Sequence, residues 1–177
     1  MYDIILMVKI QILFVALFVL NLLLLWVGKF TWYRFPGYIL LLVIPLVTVF
    51  FKQPRFELDF FWWRIGGMIA IAIGVGTIFL AKRELRKYEA KWHDVLPKTL
   101  VTSGPYSYVR HPMYLGLVFI FVGWWWVWSA AYAFYFGMFI LATIWIQGYL
   151  EEKWILEKRF GKKYQEYRQR TGMYWIK

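Results

Sequence analysis

The chain has 177 residues, 62% of them hydrophobic and 23% aromatic, with a formal net charge of +11. With 18% charged residues and 12 tryptophans it is too poor in charge and too rich in large rings for a soluble domain, and the composition is that of an integral membrane protein. Cysteine is absent, which excludes disulfides, thiolate nucleophiles and Cys-ligated zinc, and His93 and His111 alone are too few for a histidine metal site, so no metal is expected.

The basic residues lie between apolar runs and in the C-terminal stretch. Anionic headgroups and the positive-inside rule explain that placement better than nucleic acid does. The first apolar run, Ile4 to Val27, contains only Lys9, Gln11 and Asn21 as polar residues and is long enough to span, so it does not read as a cleavable signal peptide. Asn21 is either a contact between helices or a tolerated amide. A short turn with Lys29 and Arg34 leads to a second span, Pro36 to Phe51, in which Pro45 predicts a kink. Lys52 to Asp59 is a loop, and Trp62 and Trp63 are interfacial anchors.

A third span runs from about Arg64 to Ala81, and Gly66, Ala70 and Gly74 form one small-residue face for close helix contact. Gly74-x-Gly76 follows no strand, so packing explains it better than nucleotide binding. The helix is expected to continue toward Trp92, either beyond the bilayer or along its surface, with Lys82, Arg83, Arg86, Lys87, Lys91 and Lys98 marking a cytoplasmic connection.

Leu100 to Gly116, LVTSGPYSYVRHPMYLG, stands between two apolar blocks. A polar turn (Thr102 to Pro105) and two tyrosines, Tyr106 and Tyr108, lead to Arg110-His111-Pro112. Pro112 suits the first helical position, because its missing N–H is harmless there and its φ is already helical. Arg110 and His111 then stand at a helix mouth, where free N–H groups and the helix dipole favour an anion. The bland alternative is a basic residue at the interfacial end of a membrane helix.

Pro112 to Trp128 and Ala130 to Leu150 are two further spans joined around Ser129, so they must form an antiparallel hairpin. The hairpin returns Glu151-Glu152 to the level of Arg110-His111. In the tail, Leu156, Phe160, Tyr164 and Tyr167 recur at helical spacing and are expected to pack along the interface or over the entrance, with Gly161 breaking the helix. The fold class is therefore all-α: an integral, multi-pass membrane bundle of about five helices with an interfacial C-terminal helix. Its N-terminal part is residues 1–98 and its cofactor-binding, catalytic part 99–177.

Positive groups at the helix mouth, paired carboxylates and the faces of Tyr106, Tyr108 and Tyr114 suit a zwitterion that carries a heterocycle and a cation. S-adenosylmethionine has that inventory. Solvated charge at a helix end is the plainer account of Glu151-Glu152, although acids are disfavoured there.

GPYSYVRHPMYLG, a downstream EE and FGKKYQEY together resemble the isoprenylcysteine carboxyl methyltransferase and phospholipid methyltransferase superfamily, over about Leu100 to Arg170. The resemblance implies methyl transfer from S-adenosylmethionine to an acceptor that enters from the bilayer, an isoprenylcysteine carboxylate or a phospholipid amine, at a site facing the cytosol. It implies that Tyr106, His111, Tyr114, Glu151 and Glu152 line the cofactor pocket, with the backbone near Val101, Gly104 and Leu115 against the adenosine end. Arg110 and Glu152 would reach the acceptor group. One departure is the terminal TGMYWIK, without the arginine and proline that often close the family's pattern, and it bears on substrate-side contacts.

A carboxylate acceptor needs no base, whereas an ammonium acceptor must first lose a proton, for which Glu152 is the candidate. Two rival readings are a nicotinamide-dependent reductase of the membrane sterol reductase type and a non-catalytic lipid-binding helical bundle.

Overall fold

The computed structural model describes residues 4–26, 34–57, 60–88 and 99–177. The expected turn with Lys29, the loop residue Asp59, and the helical extension with Lys91, Trp92 and Lys98 lie outside these residues. The described elements are helical: α1 (Ile4–Trp26), α2 (Arg34–Val47), α3 (Phe61–Lys87), α4 (Pro112–Trp128), α5 (Ala131–Glu151), α6 (Glu157–Phe160) and α7 (Lys162–Arg170). Short 3-10 turns cover Thr48–Phe50 and Gly104–Ser107, and a π-helical turn, Glu152–Leu156, joins α5 to α6. Backbone bridges at Arg55–Ala130 and Val109–Gly172 are isolated, and no strand forms among the described residues.

Apolar helices occupy each of the five expected stretches. Three segments, Ile4–Leu23, Phe61–Lys87 and Ala131–Phe160, are long and apolar enough to cross a membrane, while Leu41–Phe50 and Pro112–Trp128 are shorter. At 17 residues α4 is near the minimum of ~17 for a spanning helix. Each of the three long segments contains an 18-residue window with at most two charged residues, and a bilayer satisfies the apolar surface of that stretch as a core would. Pro45 lies inside α2, and its carbonyl accepts the Thr48 hydroxyl at 2.7 Å where the helix tightens into the 3-10 turn.

The chain forms two compact units, residues 1–71 with 121–147, and residues 72–120 with 148–177. In the first, Phe14 meets Phe136 edge-on at 5.3 Å between ring centroids, and Asn21 Nδ2 donates to Gln147 Oε1 at 2.9 Å with both residues buried. Asn21 is thus a helix–helix contact. Asn21→Val is expected to cost about 0.6 kcal/mol, the average for such bonds in a membrane protein, measurable by thermal unfolding in detergent.

The hairpin turn is as tight as the sequence requires, with Ser129 at φ 48°. Its edges are paired by the loop after α2: Phe56 N–H donates to the Ser129 carbonyl at 2.8 Å and Ala131 N–H to the Pro54 carbonyl at 3.0 Å. The loop with Lys52 and Arg55 therefore lies at the turn end of the hairpin, as alternating helix directions demand.

Of the expected small-residue face of α3, Gly74 meets a glycine of α4 while Gly66 faces the Trp126 ring, and Gly67 makes a second glycine contact. In the first unit a Cβ on Gly67 would stand 2.8 Å from the Gly123 carbonyl, and in the second a Cβ on Gly74 would stand 2.5 Å from that of Gly116. Gly76 faces open space, and both glycines of the Gly74-x-Gly76 pair lie inside α3.

Candidate functional site

The site is built in the second unit, where the mouth of α4 meets the end of α5 and the tail. Pro112 starts α4 as expected, and the His111 carbonyl accepts the Leu115 N–H at 3.0 Å. The N–H groups of Arg110 and His111 donate to the carbonyls of Gly172 (2.9 Å) and Met173 (3.2 Å), so the TGMYWIK segment docks alongside the helix mouth.

Glu152 supplies the anion that the helix mouth favours. Its carboxylate accepts Arg110 Nε at 2.8 Å and Nη2 at 3.1 Å, a bidentate fork, and pairs with His111 Nε2 at 2.9 Å. Arg110 Nη1 donates to the backbone carbonyls of Arg168 and Thr171. The side chains of Arg110 and Glu152 are 8% and 4% exposed, so each needs the other's charge. Burial pulls the Arg110 guanidinium's pKa down, but its bonds to Glu152 and the charge there outweigh this and raise it.

Glu151, the preceding residue, takes a different partner: the Tyr114 hydroxyl donates to its Oε2 at 2.6 Å, and no ion pair to it occurs among the described residues. Directly beyond, the helix widens into its π turn, a feature that frequently marks functional sites. His111 stacks on Tyr114 with ring centroids 5.4 Å apart.

These groups border a cavity of about 130 Å³. Of the residues singled out in the sequence, Val101, Tyr106, Arg110, His111, Tyr114 and Glu151 line it. Glu152 stands behind Arg110 and His111. Gly104 and Leu115 are not on the cavity wall. Gly104, at φ +57°, presses instead on the Glu84 carboxylate, from which a Cβ would be 3.0 Å away, and Leu115 sits in the first turn of α4. The tail closes over the cavity through Leu156, Phe160, Tyr164 and Tyr167, at the spacing seen in the sequence. Gly161, at φ +53°, makes the break between α6 and α7.

Sequence reasoning missed a second latch: Glu84 accepts Ser103 Oγ at 2.6 Å and Lys87 Nζ at 2.6 Å, tying α3 to the turn that precedes the site. An acid flanked by Lys82, Arg83, Arg86 and Lys87 was the available signal. It also missed Leu85 and Met113, which line the cavity and read as ordinary membrane residues. Burial pushes the pKa values of Tyr106, Tyr164, Tyr167 and Tyr174 well above the usual tyrosine range, so these hydroxyls stay protonated.

A family model for phospholipid methyltransferases matches residues 62–163, from the start of α3 through the hairpin and Glu151-Glu152. The chain belongs to the phospholipid methyltransferase family. No match was found among curated proteins or among solved structures. Membership makes the protein a membrane methyltransferase, in agreement with its apolar helices.

Proposed function

We propose that this methyltransferase binds S-adenosylmethionine in the cavity beside Arg110–Glu152 and methylates a lipidic acceptor that arrives from the bilayer, at the cytosolic end of α4 and α5. The observation that carries the reading is the unequal treatment of two adjacent acids. Glu152 is ion-paired by Arg110 and hydrogen-bonded by His111, whereas Glu151 faces the cavity and, among the described residues, takes the Tyr114 hydroxyl and no ion pair. A carboxylate held in that way, beside aromatic faces, selects a cation.

S-adenosylmethionine supplies a methyl group on a sulfonium, whose positive charge disappears on transfer. The chain's own contribution is alignment and exclusion of water, and positioning can account for ~7–11 kcal/mol of a barrier. Tyr106 and Tyr114 offer aromatic faces, Tyr114 and His111 fix the two carboxylates, and Leu85, Val101, Leu156 and Phe160 keep the walls dry. The cavity is smaller than the ~300–1,000 Å³ usual for ligand sites.

Arg110 acts as a clamp between α4, α5 and the tail, its donors being spent on Glu152 and two carbonyls. Of the two acceptors, the phospholipid amine suits Glu151 better, since a carboxylate acceptor would meet a like charge. Glu151 is also better placed than Glu152 to take an ammonium's proton, because both Glu152 oxygens are already engaged.

The deciding experiment is transfer of labelled methyl from S-adenosylmethionine to a panel of phospholipid amines, prenylcysteines and hydrophobic thiols. Binding of NADPH in place of S-adenosylmethionine and S-adenosylhomocysteine would sink the proposal. Glu151→Gln is expected to lower turnover at least about 100-fold, the lower range for losing a general base, while the melting temperature changes little. Unchanged turnover would remove Glu151 from the mechanism.

A further inference from the structure

Polar side chains around the cavity are mostly spoken for. Arg110, His111 and Tyr114 hold the two carboxylates, and the Tyr167 hydroxyl donates to the Tyr106 carbonyl at 2.5 Å. Tyr164 differs. It is only 1% exposed, lines the cavity, and its hydroxyl has no hydrogen bond of ordinary geometry. It stands beside Arg110 and Glu152, close enough for both to act on it through their charges and through weak side-chain hydrogen bonding.

Leaving a buried hydroxyl unpaired is costly, and a phenylalanine would fill the same space against the Tyr167 ring, 6.1 Å away between centroids, without that cost. Packing alone therefore accounts for the ring of Tyr164, while its oxygen is held beside two charges without a hydrogen bond of ordinary geometry.

We infer that the Tyr164 hydroxyl donates a hydrogen bond to an oxygen of the bound methyl donor, making Tyr164 a ligand-contacting residue on the tail-side wall. The inference rests on the function proposed above. The methyl donor offers carboxylate and ribose oxygens as acceptors, and an electron-rich oxygen beside Arg110 is favoured by the guanidinium as well. The hydroxyl stays neutral, so the contact adds no charge to the site.

The test uses the full-length chain in detergent, with S-adenosylhomocysteine as the probe in calorimetry and with thermal unfolding in its absence. Tyr164→Phe is expected to raise the Kd about three- to tenfold, the worth of one neutral hydrogen bond, with the melting temperature unchanged or higher. Tyr167→Phe, which breaks a made bond to the Tyr106 carbonyl, is expected to melt lower. Wild-type affinity in Tyr164→Phe, or a melting temperature several degrees below that of the unaltered chain, would overturn the inference. Failure of the unaltered chain itself to bind the probe overturns the methyl-donor reading and this inference with it, so the two failures are told apart by which protein fails.

Discussion

Arg110→Ala is expected to abolish methyl transfer and to destabilise the fold by about 3–5 kcal/mol, the cost of leaving one member of a buried ion pair alone. Glu152 would stay buried with His111 at 2.9 Å and the half-exposed Arg168 Nε at 4.0 Å as its remaining partners, and the carbonyls of Arg168 and Thr171 would lose the Arg110 donor. The tail would lose its side-chain anchor to the mouth of α4, and with it the closed wall of the cavity. Arg110→Lys keeps the charge but cannot reproduce the bidentate fork, so it should fall between wild type and alanine in both melting temperature and turnover. The double variant Arg110→Leu/Glu152→Leu should melt above either single leucine variant while remaining inactive, because removing both charges relieves the desolvation that removing one exposes. Thermal unfolding in detergent and a labelled-methyl assay read these outcomes. An Arg110→Ala protein with wild-type melting would show that the clamp has no structural weight.

Gly74→Ala is the second change with a large expected effect. The new methyl would stand 2.5 Å from the Gly116 carbonyl oxygen and 2.7 Å from the side chain of Ile120, and backbone cannot yield as a flexible side chain can. Gly116→Ala is the reciprocal case, 2.8 Å from the Gly74 carbonyl. Each is expected to cost about 1–3 kcal/mol, as overpacking of a tight interior does, and to lower activity by moving the start of α4. Gly76→Ala, on the same helix but facing open space, should be neutral or stabilising, since alanine is the better helix former by about 1 kcal/mol. Equal melting temperatures for Gly74→Ala and Gly76→Ala would mean that α3 and α4 do not meet backbone to backbone.

The helices were legible because their signals are local. Long apolar runs, Pro112 at a helix start, Gly161 at a break and the short join at Ser129 each act within a turn or two of chain. The meeting of Arg110-His111 with Glu151-Glu152 was legible too, as a consequence of hairpin length. What each group does there was not. The sequence presented Arg110 as a free cation awaiting an anion, whereas the structure spends it on Glu152 and on two backbone carbonyls, and a carbonyl carries no sequence signature. Gly104 illustrates the same limit: its positive φ and its contact with Glu84 depend on where α3 ends in space, so its motif position did not reveal that it stands off the cavity wall.

By itself, then, the sequence determined a helical membrane protein and the residue types gathered at one end of a hairpin, because hydrophobic length and turn chemistry act along the chain. Tertiary structure alone decided which acid is neutralised and which is left to face the cavity. That choice depends on side-chain directions around the π turn after Glu151 and on distances of a few ångströms between segments remote in sequence. At that range burial and charge set the chemistry.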